Sequence, residues 1–204
     1  CIVEIMRKNA NLLLMTDEIY EFLLEENEIH HSFAAIAPDL INRIFTVNGF
    51  AKGWAMTGWR LGYLAGNQNV IKASSALQSQ STSNVCSFAQ RGALAALKGP
   101  KNCLKEMANS YNTRRRLLVE GLKQIDGISL IEPKGAFYAF PKLPNYCPDS
   151  MELCRLALDE VGLAIVPGEA FGENRCVRIS CAVSNHHIQD GLNRLEKILS
   201  QLKK

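Results

Sequence analysis

Ile44-Phe45-Thr46-Val47-Asn48-Gly49-Phe50-Ala51-Lys52-Gly53-Trp54-Ala55-Met56-Thr57-Gly58-Trp59-Arg60-Leu61-Gly62-Tyr63-Leu64-Ala65-Gly66 holds two short apolar runs, residues 44–47 and 61–65, each closed by a turn signal. What separates them is too irregular for a long helix. Upstream, residues 12–15 form another continuous apolar run, the pattern of a strand buried on both faces, with Asp17-Glu18 at its end. Three short buried strands in succession predict one sheet, with carboxylates at one strand's carboxyl edge and a lysine just beyond another strand.

Working outward, the periodicity turns helical from Val70, continues through residues 87–97 to the Gly99-Pro100 stop, and resumes over residues 102–125 with its Arg114-Arg115-Arg116 cluster. Beyond Gly127 the pattern alternates again, with strands over 128–131 and 136–140, a helix over 151–161, strands over 163–166 and 176–181, and a last helix from about Asn185. That alternation predicts a second α/β unit. The long helix is the expected junction, which places a first domain at residues 1–112 and a second at 113–204. Residues 2–8 read as the tail of a helix, and the chain opens on Cys1 rather than Met, so further sequence is expected upstream.

The 204 residues are 47% hydrophobic, enough for a sizeable core, and 23 basic against 20 acidic residues give a net charge of +3. So small an excess argues against a nucleic-acid or membrane-surface partner. Cys1, Cys86, Cys103, Cys147, Cys154, Cys176 and Cys181 are odd in number and scattered, with no C-x-x-C pair, which fits a reducing, cytoplasmic setting rather than a disulfide framework. No apolar run reaches a membrane span. His30-His31 and His186-His187 are adjacent pairs with no third ligand at metal spacing, so both are expected on the surface and no metal is expected. The arginine cluster, lacking interleaved aromatics, is expected to form a solvated helix face.

Lys52 carries the chemistry. Flanked by Gly, Ala, Phe and Trp after a strand, it sits in an apolar setting that favours the nucleophilic free amine. An isolated lysine would simply be solvated, an isolated Arg60 would be a surface ion-pairing residue, and a strand-end Asp17 would be a helix cap. By the same standard Tyr20 would be packing and Arg178 an edge-strand residue facing water, although an arginine within the apolar stretch Cys176-Val177-Arg178-Ile179-Ser180 needs a partner.

The stretch from Asn48 to Tyr63 resembles the pyridoxal phosphate lysine motif of class I aminotransferases, and the likeness extends over essentially the whole chain. The resemblance implies an α/β fold, the C-terminal half of an aspartate-aminotransferase-like transferase, with a mainly parallel large-domain portion, a small α/β domain, and the site between them. Lys52 falls on the family's Schiff-base lysine and Arg60 on the arginine that grips the cofactor phosphate. In Asp17-Glu18-Ile19-Tyr20 the aspartate falls on the partner of the pyridinium nitrogen and the tyrosine on the hydrogen-bond donor to the ring's phenolic oxygen. Arg178, preceded by Val166-Pro167-Gly168-Glu169-Ala170-Phe171-Gly172, falls on the arginine that binds the substrate α-carboxylate.

Gly135-Ala136-Phe137-Tyr138 and Gln78-Ser79-Gln80-Ser81-Thr82-Ser83-Asn84 complete the likeness. The second is similar to a segment that in relatives lies at a homodimer interface and reaches the neighbouring phosphate, though from its residues alone a polar capping loop is nearly as good an account. Gly49 departs from the many relatives that carry a phosphate-binding serine there. The implied reaction moves an amino group between an amino acid, aspartate, and a 2-oxo acid, 2-oxoglutarate. The alternatives are another pyridoxal phosphate reaction on the same scaffold, such as carbon-sulfur lysis, or a non-catalytic dimerising module, and the isolated 204 residues are expected to be inactive because several pocket elements of the family lie upstream.

Overall fold

The structure, a computed structural model, describes residues 1–203. The chain divides into two compact units, Cys1–Met107 and a second that begins at Ala108, the division falling inside one long helix.

The first unit runs α1 (Ile2–Lys8), β1 (Leu14–Asp17), α2 (Phe33–Ile36), a 3-10 helix (Pro38–Arg43), β2 (Ile44–Gly49), a 3-10 turn (Thr57–Trp59), β3 (Gly62–Ala65), α3 (Gln68–Ser81) and α4 (Ser87–Lys98), followed by the start of α5 (Asn102–Gln124). The strand order is β1-β2-β3. β1 and β2 are parallel, Leu14 opposite Ile44 and Asp17 opposite Val47, whereas β3 returns antiparallel, with Gly62 opposite Gly49. Met6, Ala37, Leu40 and Ile44 are buried together, with Val3, Leu14, Phe33 and Ala34 packed against them. The two short helices and the 3-10 helix thus cover the face of the sheet that carries Leu14 and Ile44.

Here the structure corrects the sequence reading. The first strand starts at Leu14 and includes Asp17, and it is not buried on both faces: Met15 is 70% exposed, and β3 is mostly exposed as well. Side chains alternate across a strand, so Leu14 and Thr16 face the covering helices while Met15 and Asp17 face away. A run of apolar residues reports hydrophobicity; whether a second layer covers them is decided by other elements.

The second unit continues α5 and adds β4 (Tyr138–Ala139), α6 (Ser150–Val161), β5 (Val166–Pro167), a 3-10 helix (Gly168–Phe171), β6 (Val177–Ser180) and α7 (Asn185–Leu202). The order β4-β6-β5 is antiparallel throughout, with Tyr138 opposite Ser180 and Val166 opposite Arg178. The strands are shorter than the sequence predicts. Residues 128–131 contribute a single bridge, Ser129 to Lys142, and Ala136 at φ +57° interrupts extended backbone before β4. The expected strand at 163–166 loses its start to the end of α6, where Gly162 takes φ +63° and the Leu163 amide donates to the Ala157 carbonyl.

α7 buries Ile188, Leu192, Leu195, Ile198 and Leu199, one helical stripe, and Gly121 of α5 leaves the space that the Leu192 side chain fills. Leu122, also of α5, is fully buried. Leu122→Ala is expected to lower stability by about 2–5 kcal/mol through lost burial and the cavity left behind, read as a lower urea midpoint at unchanged slope.

The arginine cluster is a second correction, because Arg115 is 1% exposed. Three consecutive helical residues spread around the axis, and Arg115 is the one that falls on the inward stripe with Asn112, Leu118, Val119 and Leu122. Arg115 Nη1 donates to the Ala136 carbonyl at 2.9 Å and Nη2 to Asn112 Oδ1 at 2.6 Å. All seven cysteines are free thiols, and burial pushes Cys147 and Cys154 up to about 11, which keeps both protonated and unreactive near neutrality. No helix among the described residues is long and apolar enough to cross a membrane, and no group of three His, Cys, Asp or Glu among them could hold a metal ion.

Candidate active site

Asp17 closes β1, and its Oδ1 accepts a hydrogen bond from the Ile19 amide at 3.1 Å, an Asx turn that sends the chain back across the strand ends. Two side-chain ties then hold the segment that carries Tyr20. Glu18 is buried, and its carboxylate is hydrogen-bonded to His30 Nε2 at 2.9 Å and Ser32 Oγ at 3.0 Å. Asn48, buried at the end of β2, donates from Nδ2 to Glu21 Oε1 at 2.9 Å while its Oδ1 accepts from the Gly49 amide at 2.7 Å. His30, expected on the surface, is therefore half-buried and bonded. Glu18→Ala is expected to cost about 1–3 kcal/mol, since it strips two hydrogen bonds from a buried group. Urea unfolding would show this, with Glu18→Gln affected less.

Lys52 follows β2 by three residues and lies in a tight loop: the Ala55 amide donates to the Lys52 carbonyl and the Met56 amide to the Phe50 carbonyl, both at 3.1 Å. The residues flanking Lys52 pack on aromatic rings. Trp54 packs between Phe22 and Phe50, with ring centroids 5.9 and 6.4 Å away, and Gly53 lies so close to Phe22 that a Cβ would meet its ring at 2.6 Å. Lys52 is half-buried, and its Nζ stands 6.0 Å from the centre of the Tyr20 ring. Burial first, and the Glu21 and Glu18 charges after it, push the neighbouring Tyr63 phenol above its ordinary value.

Arg60 ends the Thr57–Trp59 turn in the left-handed region at φ +54°, and Ala55 takes φ +52°. For residues with a Cβ this costs on the order of 1–3 kcal/mol each and persists only where surroundings enforce it. The Thr57 hydroxyl supplies one restraint, donating to the Ala51 carbonyl at 2.8 Å, and Arg60 Nη1 donates to the Thr57 carbonyl at 3.0 Å. Arg60 lines a groove of about 470 Å³ with Trp59, Gln78, Thr82 and Asn84. The absence of a serine at Gly49 has a local reason: a Cβ there would lie 2.9 Å from the Gly62 Cα, so a side chain requires β2 and β3 to move apart.

Asp17, Tyr20, Lys52 and Arg60 thus belong to one edge of the first unit, the carboxyl end of its parallel strand pair and the loop beyond it, where ligands bind in open α/β sheets. Tyr20 and Lys52 are direct neighbours. Arg178 belongs to the second unit. It is half-buried in the middle of β6, and its guanidinium carbon lies 4.6 Å from the ring centres of both Tyr138 and Phe171. Among the described residues, no ion pair engages it. Those two aromatics were visible in the sequence only as parts of family-like runs, and neither strand pattern nor spacing marks them as neighbours of Arg178. The larger cavity of the second unit, about 520 Å³ and mostly apolar, contains none of the predicted site residues.

These features define a class. The structure matches the aspartate aminotransferase of Rhizobium meliloti with a TM-score of 0.90 and 35% identity over 98% of this chain and 52% of that one. It matches an aromatic aminotransferase from Pyrococcus horikoshii at 0.93 and 33% over 99% and 54%. The fold is the mixed α/β arrangement of these enzymes over about half their length.

The model of aminotransferase class I and II matches residues 1–195, and the chain belongs to that family. It is 40% identical over an alignment 215 positions long to the Petunia hybrida bifunctional aspartate aminotransferase and glutamate/aspartate-prephenate aminotransferase, covering 99% of this chain and 45% of that protein. It is 41% identical over 201 to an aspartate aminotransferase of Streptomyces avermitilis, covering 94% and 49%. The chain therefore spans about half the length of the curated relatives it matches. Class I aminotransferases of this type use pyridoxal phosphate.

Proposed function

We propose that the protein containing this chain is a pyridoxal phosphate-dependent aminotransferase that exchanges an amino group between aspartate and 2-oxoglutarate. The observation that carries this reading is the gathering of Asp17, Tyr20, Lys52 and Arg60 on one strand-end edge, with the lysine beside the tyrosine ring. The residues suit the cofactor. Arg60 is a cation held in a strained conformation beside a groove whose mainly apolar lining includes the polar side chains of Gln78, Thr82 and Asn84, Asp17 is an exposed strand-end carboxylate, and Lys52 is a half-buried amine beside the Tyr20 ring.

Bound pyridoxal phosphate supplies the electron sink that stabilises negative charge at the substrate α-carbon. Lys52 Nζ would attach the cofactor covalently and, once displaced by the substrate amine, take the α-proton as general base and return it as general acid. Asp17 would hold the ring nitrogen protonated, Tyr20 would donate to the ring oxygen, and Arg60 would grip the phosphate by charge-assisted hydrogen bonds. Arg178 would orient the substrate through its α-carboxylate with two parallel hydrogen bonds. The domain division at residues 1–112 and 113–204 and a homodimer with residues 78–84 at its interface belong to the same reading. Aspartate is favoured by the names of the similar proteins.

The test uses the full-length protein loaded with pyridoxal phosphate. Aspartate alone should shift the cofactor absorption to the amine form, and 2-oxoglutarate should shift it back. Release of ammonia and a keto acid without that return would refute transamination. Arg60→Ala should raise the cofactor dissociation constant roughly 10- to 100-fold in a spectral titration, because a charge-assisted grip on phosphate is removed. Unchanged retention would remove Arg60 from the phosphate site.

A further inference from the structure

The second unit places two aromatic rings against one arginine. Tyr138 enters from β4, whose residues pair with β6 at Ser180, and Phe171 from the 3-10 helix that follows β5 on the other side of β6. Each ring centre is 4.6 Å from the Arg178 guanidinium carbon. Neither ring stands alone: Phe140 meets Phe171 edge to face at 5.9 Å, and Phe137 lies 4.5 Å from Tyr138 and stacks on Tyr111 of α5 at 5.2 Å. The turn that delivers Tyr138 is itself tethered, since the carbonyl of the left-handed Ala136 accepts from the buried Arg115.

We propose that Tyr138 and Phe171 are specificity-determining positioning residues that present Arg178 edge-on to a planar carboxylate, with Arg115 holding Tyr138 in place through Ala136. This rests on the reading of Arg178 as the α-carboxylate receptor and deepens it. A guanidinium hydrogen-bonds only in its own plane, so a ring set over its face leaves the N–H edge available and restricts rotation of a long side chain. The arginine then offers its parallel pair of donors without first losing side-chain freedom, which tightens the binding of ligands that carry two coplanar oxygens. An amine lacking the α-carboxylate gains nothing from the arrangement.

The experiment compares Tyr138→Leu, Phe171→Leu, Tyr138→Phe and Arg178→Ala in the full-length holoenzyme. KM and kcat are measured for aspartate, and inhibition for β-alanine, which is aspartate without its α-carboxylate. Each leucine variant should raise the aspartate KM roughly 3- to 30-fold, with kcat at saturation and the β-alanine inhibition constant unchanged, the size expected for one partly desolvated cation–ring contact. Tyr138→Phe keeps the ring and should restore the lower KM. Wild-type KM in both leucine variants overturns the inference, and so does a loss of kcat or cofactor retention matching the rise in KM, which would mark the rings as structural. If Arg178→Ala itself keeps the wild-type KM for aspartate, it is the assignment of Arg178 that fails.

Discussion

Lys52→Ala is expected to lower transamination by the full-length protein about 100- to 10,000-fold while leaving its fold intact. The first part follows from chemistry, because removing the positioned acid-base group forfeits its whole contribution to proton transfer at the α-carbon. The second follows from packing. Lys52 is half-buried, and its loop is held by backbone hydrogen bonds of Ala55 and Met56 and by the ring cluster of Phe22, Phe50 and Trp54, none of which involves the Lys52 amine. The stability change should stay within about 1 kcal/mol. Single-turnover absorbance with aspartate reads the rate, and urea unfolding reads the fold. A chemical check is independent of both: borohydride reduction of the holoenzyme should leave a pyridoxyl mass on the peptide containing Lys52, and label on a different lysine would remove the assignment.

Arg178→Ala is expected to reduce kcat/KM for amino acids by roughly 100-fold or more, chiefly through KM, with the cofactor retained as in the wild type. Two charge-assisted hydrogen bonds to the α-carboxylate would be lost, each on the order of 1.5–3 kcal/mol. Arg178→Lys should recover little, because an ammonium offers a point charge in place of two parallel donors and lacks the planar face that a guanidinium can set against a ring. The defect therefore differs in kind from that of Arg60→Ala. Identical defects in the two variants would show that the division of labour between the arginines is wrong.

Helix positions were legible in the residues because a helix is a local object. The 3.6-residue periodicity and the Gly99-Pro100 stop place α4 and α5 within a residue or two of where they lie, and residues 2–8 form α1 as read. The family was legible because the run from Asn48 to Tyr63 combines a lysine, an arginine and closely spaced glycines whose backbone roles leave little freedom of choice. Gly49 and Gly62, for example, face each other across β2 and β3 with no room for a Cβ.

Burial and partnership were settled by the fold alone, because they depend on which distant residues meet. The apolar run at 12–15 could not reveal that Met15 faces outward, nor could a triplet of arginines reveal that Arg115 is the one turned inward to the Ala136 carbonyl. His30 reads as one of two surface histidines until the chain turns back and sets it against Glu18, twelve residues away. Tyr138, Phe171 and Arg178 are separated by 33 and 7 residues in sequence and become neighbours only through the pairing of β4, β6 and β5. The sequence by itself thus determined the chemistry that each side chain can offer and the helices that carry much of the chain. Which side chains act together was decided by strand pairing, since register brings residues into contact without regard to their distance along the chain.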